Sequence, residues 1–256
     1  MSKPLILVTN DDGIESKGIR SLIEVAQKFG EVVVVAPDSP QSGQGHAITL
    51  TSPIRILERN IFKDIKAYEC TGTPVDSVKL AKNILLKDRT IDLCVSGINH
   101  GSNASLNIIY SGTMSAAMEA SIEGINAIGF SLLDYSRDAD FDASKIFAEK
   151  LITSMLDHKG AGGQLWNVNI PKLNKEQIKG IKFCKQGIGG WKEDFKISKD
   201  PRGDTYYWLA GAFEEKDNAI DTDLWALENG YVSVVPSHHD LTDYQAIKTF
   251  TYLNTL

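Results

Sequence analysis

Only three cysteines, Cys70, Cys94 and Cys184, occur in the 256 residues, and no two share CxxC spacing. An odd, scattered set argues against a disulfide scaffold or a structural zinc centre and reads as buried thiols of a reducing compartment. No stretch approaches the roughly 20 consecutive apolar residues that span a bilayer. The N-terminal apolar run is broken by Asn10 and Asp11, too soon for a signal peptide. The chain is therefore expected to be cytoplasmic, with no membrane partner. Basic residues are also in deficit: the net charge is −6, and no Lys/Arg cluster marks a face for duplex nucleic acid. A small phosphorylated ligand stays compatible with that balance, because a bound cation reverses the local field. With 42% hydrophobic residues the chain is neither disordered nor fibrous, and its length suits one large α/β domain or a core with a smaller appendage.

What is present is organised around Leu5-Ile6-Leu7-Val8-Thr9-Asn10-Asp11-Asp12-Gly13-Ile14. An apolar run of strand length ends in an amide, two adjacent carboxylates and a glycine. In open α/β sheets, ligands bind beyond the carboxyl ends of parallel strands, where Asp11 and Asp12 would stand. Neighbouring carboxylates repel and raise one another's proton affinity unless a cation lies between them, and a hard divalent ion is the natural partner. An ordinary capped turn would use the same residues.

Helical spacing at Ile19, Leu22, Ile23, Ala26 and Phe29, followed by Gly30 and the β-branched run Val32 to Val35, predicts a βαβ unit with both strand ends on one rim. The next loop, Gln41 to His46, carries Ser42, a neutral oxygen for a metal, and Gly43, whose backbone can approach an anion. His46 is a candidate substrate contact, although an isolated histidine is more often structural or merely exposed. Residues 46–70 read as a short hairpin or excursion from the core. A helix is expected from Val75 to Leu86, with Thr73 as its cap and Pro74 in its first turn. The strand Ile91 to Val95 runs into Ser96-Gly97-Ile98-Asn99-His100-Gly101-Ser102-Asn103, where Asn99 offers an amide oxygen to a cation and Asn103 an amide N–H to phosphate. Ser111, Gly112 and Thr113 open a small-residue helix, a ready anion site or plain capping.

Ala127 to Leu132 reads as a strand, Phe141 to Leu156 as a helix, Gly160 to Gly163 as a flexible break and Leu165 to Ile170 as another strand. Beyond it, short strands alternate with polar loops, and Trp191, Phe195, Trp208, Phe213 and Trp225 supply large rings with little helical core. Such segments predict burial against another subunit.

Taken together, the rim of successive strands offers two carboxylates, a hydroxyl and an amide oxygen. Asp11, Asp12, Ser42 and Asn99 thus form an all-oxygen shell for Mg²⁺ or Mn²⁺, with Ca²⁺ a third option. Asn10, Gly43, Asn103, Ser111, Gly112 and Thr113 are the candidate phosphate contacts. The predicted chemistry is phosphate monoester hydrolysis by a metal-activated water, with Asp11 or Asp12 as proton acceptor.

Five segments in order, Asn10-Asp11-Asp12-Gly13-Ile14, Ala36-Pro37-Asp38 with Ser42-Gly43 and Gly45-His46, Gly72-Thr73-Pro74, Ser96-Gly97-Ile98-Asn99 with Gly101 and Asn103, and Tyr110-Ser111-Gly112-Thr113, resemble the SurE survival-protein family of nucleotidases. Asn167 to Pro171 and Gly230 to Val234 extend the resemblance. It implies a cytoplasmic, metal-dependent phosphatase for nucleoside 5′- and 3′-monophosphates, with one divalent ion per subunit held by the same four ligands. It also implies a homodimer or homotetramer built by exchanged C-terminal segments. The expected fold class is α/β, a three-layer, Rossmann-like, mostly parallel sheet with an appended C-terminal β-rich oligomerisation region. Residues 1–160 would form the core with the active site, and residues 161–256 the last core strand and the C-terminal segment. His100, where a smaller residue is common, would touch the site, whereas Ser77 and Met114 are departures away from it; His238 and His239 take no assigned role. Two readings compete: a haloacid-dehalogenase-like phosphatase with a covalent aspartate, disfavoured because the aspartates are adjacent, and a non-catalytic nucleotide-binding module, disfavoured because carboxylates repel phosphate.

Overall fold

The computed structural model describes residues 3–136, 138–157, 162–216 and 219–255. Eleven strands are found there: β1 (Leu5–Thr9), β2 (Glu31–Pro37), β3 (Ile56–Glu58), β4 (Lys66–Cys70), β5 (Leu93–His100), β6 (Ala127–Leu132), β7 (Leu165–Ile170), β8 (Ile181–Phe183), β9 (Gly189–Lys199), β10 (Thr205–Glu215) and β11 (Val232–Ser237). The helices are α1 (Lys17–Ala26), α2 (Pro74–Leu80), α3 (Gly112–Ile122), α4 (Asp142–Asp157), α5 (Asp223–Glu228) and α6 (Tyr244–Phe250).

Nine strands form one sheet in the order β3-β4-β2-β1-β5-β6-β7-β11-β8, while β9 and β10 make a separate antiparallel hairpin. From β4 to β7 all neighbours are parallel. β1 is buried along its whole length because alternate residues serve opposite faces. Ile6 and Val8 pack with Ile19, Leu22 and Ile23 of α1 and Phe147, Leu151 and Ile152 of α4. Leu5 and Leu7 pack with Val78 of α2 and Met114, Ala117 and Ala120 of α3. The result is the expected three-layer, Rossmann-like α/β fold. Among the described residues, no helix is long and apolar enough to cross a membrane.

Local chemistry sets the helix starts. The Ser16 hydroxyl accepts from Ile19 N, and Thr73 and Asp76 form a reciprocal capping box at α2. Several expectations need revision. Residues 46–70 do fold into a hairpin, but not away from the core: β4 lies parallel to β2 in the main sheet, because Ala67 and Cys70 are buried beside Val34 and Pro37. The helix expected to reach Leu86 gives way at Ala81–Leu85 to a π-helical turn. β5 does not stop at Val95 but runs to His100, with a bulge between Ser96 and Asn99 in its pairing to β6. After β7 the main sheet gains β11, antiparallel to β7, and β8. Of the expected break at Gly160 to Gly163, residues 160 and 161 lie outside the described residues.

Candidate active site

The chain passes from β1 to β2 on one side and then to β5 on the other, so the sheet order reverses between β1 and β5. A crevice opens at the carboxyl ends of strands where such a reversal occurs. Asp11 and Asp12 follow β1 there, and Asn99 lies near the end of β5. Gly13, at φ +93°, lets the chain turn so that Ile14 N donates to Pro37 O (3.0 Å), joining the β1 and β2 ends. The loop bearing Ser42 is tied on both flanks: Gln41 N donates to Asp11 O (2.8 Å), and Gly45 N to Tyr110 O (3.2 Å). Asp11, Ser42, Gly43, Asn99, Asn103 and Ser111 line one cleft of about 920 Å³. Asp12, Gly112 and Thr113 adjoin it.

Electrostatics make this spot costly without a cation. Asp11 is only 4% exposed, and burial, followed by the charge of Asp12, pushes its carboxyl up from 3.8 to about 6. Burial also raises Asp12, against the opposing pull of His100 and its backbone N–H. Asp12 Oδ2 is buried with no hydrogen-bond partner. Asn99 gives an amide N–H to Gly101 O (3.0 Å), so its amide oxygen is the end that would face a cation. Among the described residues no group of three His, Cys, Asp or Glu side chains is arranged to hold a metal ion by itself. A metal here would take two carboxylates completed by neutral oxygens, a donor set that fits a hard divalent ion keeping several waters.

The start of α3 serves Asp11 directly. Thr113 gives both its hydroxyl and its backbone N–H to the Asp11 carboxylate. The Ser111 hydroxyl caps the helix by accepting from Met114 N (3.0 Å). A Cβ at Gly112 would stand 2.6 Å from the Asp11 Cβ, so only glycine allows this approach.

A family model described as survival protein SurE matches residues 6–193. The chain belongs to that family. A 5′-nucleotidase SurE from Cytophaga hutchinsonii is 57% identical, with 96% of this chain and 95% of the relative covered. The 5′-nucleotidase SurE of Flavobacterium johnsoniae is also 57% identical, covering 99% and 96%. The crystal structure of a SurE protein from Aquifex aeolicus superposes with a TM-score of 0.83 at 41% identity, over 98% of this chain and all of the other.

Within this SurE-family site, four expected phosphate contacts have other partners. Asn10 donates from Nδ2 to Gly13 O (2.9 Å) and Ser16 Oγ (2.8 Å), so no amide hydrogen is left for a phosphate. Thr113 is committed to Asp11. Asn103 spends one amide hydrogen on Ser131 Oγ (2.8 Å) and its backbone N–H on Asn169 Oδ1 (2.8 Å), keeping one hydrogen for a ligand. Ser111 accepts within its own helix turn but keeps its hydroxyl proton. His46, for which a structural role was the commoner alternative to a substrate contact, bonds the buried Glu119 (2.8 Å), which also pairs with Lys79. His100 does line the cleft, its ring edge-on to Phe141. His238 and His239 do not line it.

Two groups escaped the sequence reading. Asn167 donates to Asn103 O (2.8 Å) and Asn169 to Asn167 Oδ1 (2.9 Å), a buried chain that sets Asn103. Alternating asparagines in an otherwise apolar strand were the available signal. The second group is β9 and β10, which contribute Trp191, Glu193, Leu209, Ala210 and Gly211 to the cleft wall. Nothing local in the sequence places a distant hairpin there.

Proposed function

We propose that this chain is a divalent-metal-dependent phosphatase that hydrolyses nucleoside 5′- and 3′-monophosphates to nucleoside and phosphate. One observation carries the reading: two adjacent, desolvated carboxylates stand at the strand switch point, and Asp12 Oδ2 is buried without a partner. A chain that only bound phosphate would gain nothing from that arrangement. The name 5′-nucleotidase borne by relatives supports the substrate class.

In this reading Asp11, Asp12, Ser42 and Asn99 hold one Mg²⁺ or Mn²⁺ per subunit, with Ca²⁺ as an alternative. Bound there, the ion supplies Lewis acidity toward the phosphoryl oxygen and an attacking water. The chain's own groups orient the ester. The Gly112 N–H and the Ser111 hydroxyl at the positive end of α3, the remaining Asn103 hydrogen and the Gly43 N–H receive the phosphate oxygens. Asp11, whose Oδ1 is engaged by the Thr113 hydroxyl, would be the carboxylate that takes the proton of the attacking water. Three free cysteines fit a reducing, cytoplasmic setting. A homodimer or homotetramer is supported by the large apolar side chains left exposed on β9, β10 and α6, Ile197, Trp208 and Phe250 among them.

The test is a phosphate-release screen over nucleotides with Mg²⁺, Mn²⁺ or Ca²⁺, with Asp11→Asn and Asp12→Asn as controls. Release that depends on the metal and on both aspartates is expected. Binding of nucleotides without turnover under any of these ions would refute the assignment.

A further inference from the structure

Beyond the polar floor, the cleft has a wall to which no role has yet been given. It is made by Trp191 and Glu193 of β9 and by Leu209, Ala210 and Gly211 of β10. The hairpin is held firmly at its root. Asp223, fully buried, accepts from Ser105 N (2.8 Å) through one oxygen and from Gly187 N (2.7 Å) through the other. Ser105 Oγ donates to Gly187 O (2.8 Å), and Lys216 N to Ile188 O (2.9 Å). Trp191 is then oriented twice: its Nε1 donates to Asn107 Oδ1 (2.9 Å), and its ring meets Phe213 edge-on at 5.8 Å. With its one polar edge engaged, the indole still keeps 46% of its surface open.

We propose that this wall is the nucleoside subsite, with Trp191 as the ring on which the base of the substrate stacks and Glu193 as acceptor for ribose hydroxyl or base amino hydrogens. The inference rests on the nucleotidase reading and extends it to the part of the substrate that does not react. Three features support it. The wall belongs to the same cleft as Asp11 and Ser111, and about 920 Å³ falls within the range of small-ligand sites. An oriented indole face stacks on any base without reading its hydrogen-bonding edge, so the subsite accepts purines and pyrimidines alike. Among the described residues no lysine or arginine lines the cleft, and Glu193 stands in it, so this wall offers a second or third phosphate repulsion rather than a partner. The subsite therefore favours monophosphates over di- and triphosphates.

The experiment compares AMP with ribose 5-phosphate, the same ester without a base, in wild type, Trp191→Ala and Trp191→Phe. For Trp191→Ala the KM for AMP is expected to rise roughly tenfold, with kcat and all constants for ribose 5-phosphate changing less than about twofold. Trp191→Phe, which keeps a ring but loses the bond to Asn107, restores most of the AMP affinity. In a second measurement, adenosine quenches indole fluorescence in the wild type, and Trp191→Phe removes that quenching even if Trp191→Ala does not fold. Equal KM increases for both esters, an unchanged KM for AMP, or quenching that persists in Trp191→Phe would overturn the subsite while leaving the nucleotidase reading intact. Failure of the wild type to release phosphate from either ester would overturn that reading and the subsite with it.

Discussion

The β1–β5 switch point and the β9–β10 hairpin face one cleft but are built in opposite ways. At the switch point the strands are parallel and sheathed by helices on both faces, and two carboxylates are held in low-dielectric surroundings by contacts as close as Gly112 against Asp11. The hairpin is antiparallel and mostly exposed, and only its root is buried, through Asp223. Chemistry at a phosphorus centre needs donors fixed to a fraction of an ångström, which a packed sheet supplies. Recognition of a flat base tolerates more play, which a hairpin anchored at one end supplies. One region sets the reaction, and the other selects what is presented to it.

That contrast can be broken from either side. The largest expected effect lies in the floor: Asp12→Asn removes a carboxylate whose Oδ2 has no protein partner, so activity should fall roughly 10³-fold while thermal unfolding changes little or shifts upward. Steady-state kinetics beside a melting curve decides this. Gly112→Ala places a methyl group against Asp11 and should lower both activity and stability, the latter by about 1–3 kcal/mol, measurable by urea titration.

Asp223→Ala tests the root of the wall. It leaves the Ser105 and Gly187 N–H groups unpaired and should cost about 1–3 kcal/mol. Its kinetic signature should be a higher KM for nucleotides, with a smaller change for esters lacking a base.

The pH response sharpens the contrast further. Asp11 is raised from 3.8 to about 6 in the folded state, so the metal-free native chain holds its proton more tightly than the unfolded chain does. The stability from this group is complete below 3.8 and is lost as pH rises through about 6. Melting temperatures of metal-free protein should therefore decline across that window in the wild type and less in Asp11→Asn. Cation affinity should run the other way, weakening below about pH 6, because the ligand must be ionised. The smallest effect on the floor should come from Tyr207→Ser with Trp208→Ser on the exposed hairpin. Monomer stability should stay within about 0.5 kcal/mol, and light scattering should report a smaller assembly.

Much of this was legible in the residues. The run ending in Asn10-Asp11-Asp12-Gly13 announced a buried strand delivering charge to a sheet edge, and Ser42 and Asn99, singled out in the sequence, line the same cleft as Asp11. Where the reading failed, long-range partners had overruled local preference. Ser96-Gly97-Ile98-Asn99-His100 carries turn residues, yet β6 holds it as strand through the pairs Asn99 with Ser131 and His100 with Leu132. Asn10 and Thr113 are the right chemical types for a phosphate, but Gly13, Ser16 and Asp11 claim their hydrogens first. The rings of β9 and β10 were visible, but not that Trp191 among them lines the cleft.

By itself the sequence determined the parallel core, its rim of oxygen donors and the likeness to one family, because strand period, helix caps and adjacent carboxylates are local features. Only the tertiary structure decided which donors are already spent, how strongly Asp11 is desolvated and that a hairpin some 180 residues later in the chain closes the cleft. Each of those depends on atoms brought together by packing across the whole fold, and burial and hydrogen-bond competition have no value until that packing exists.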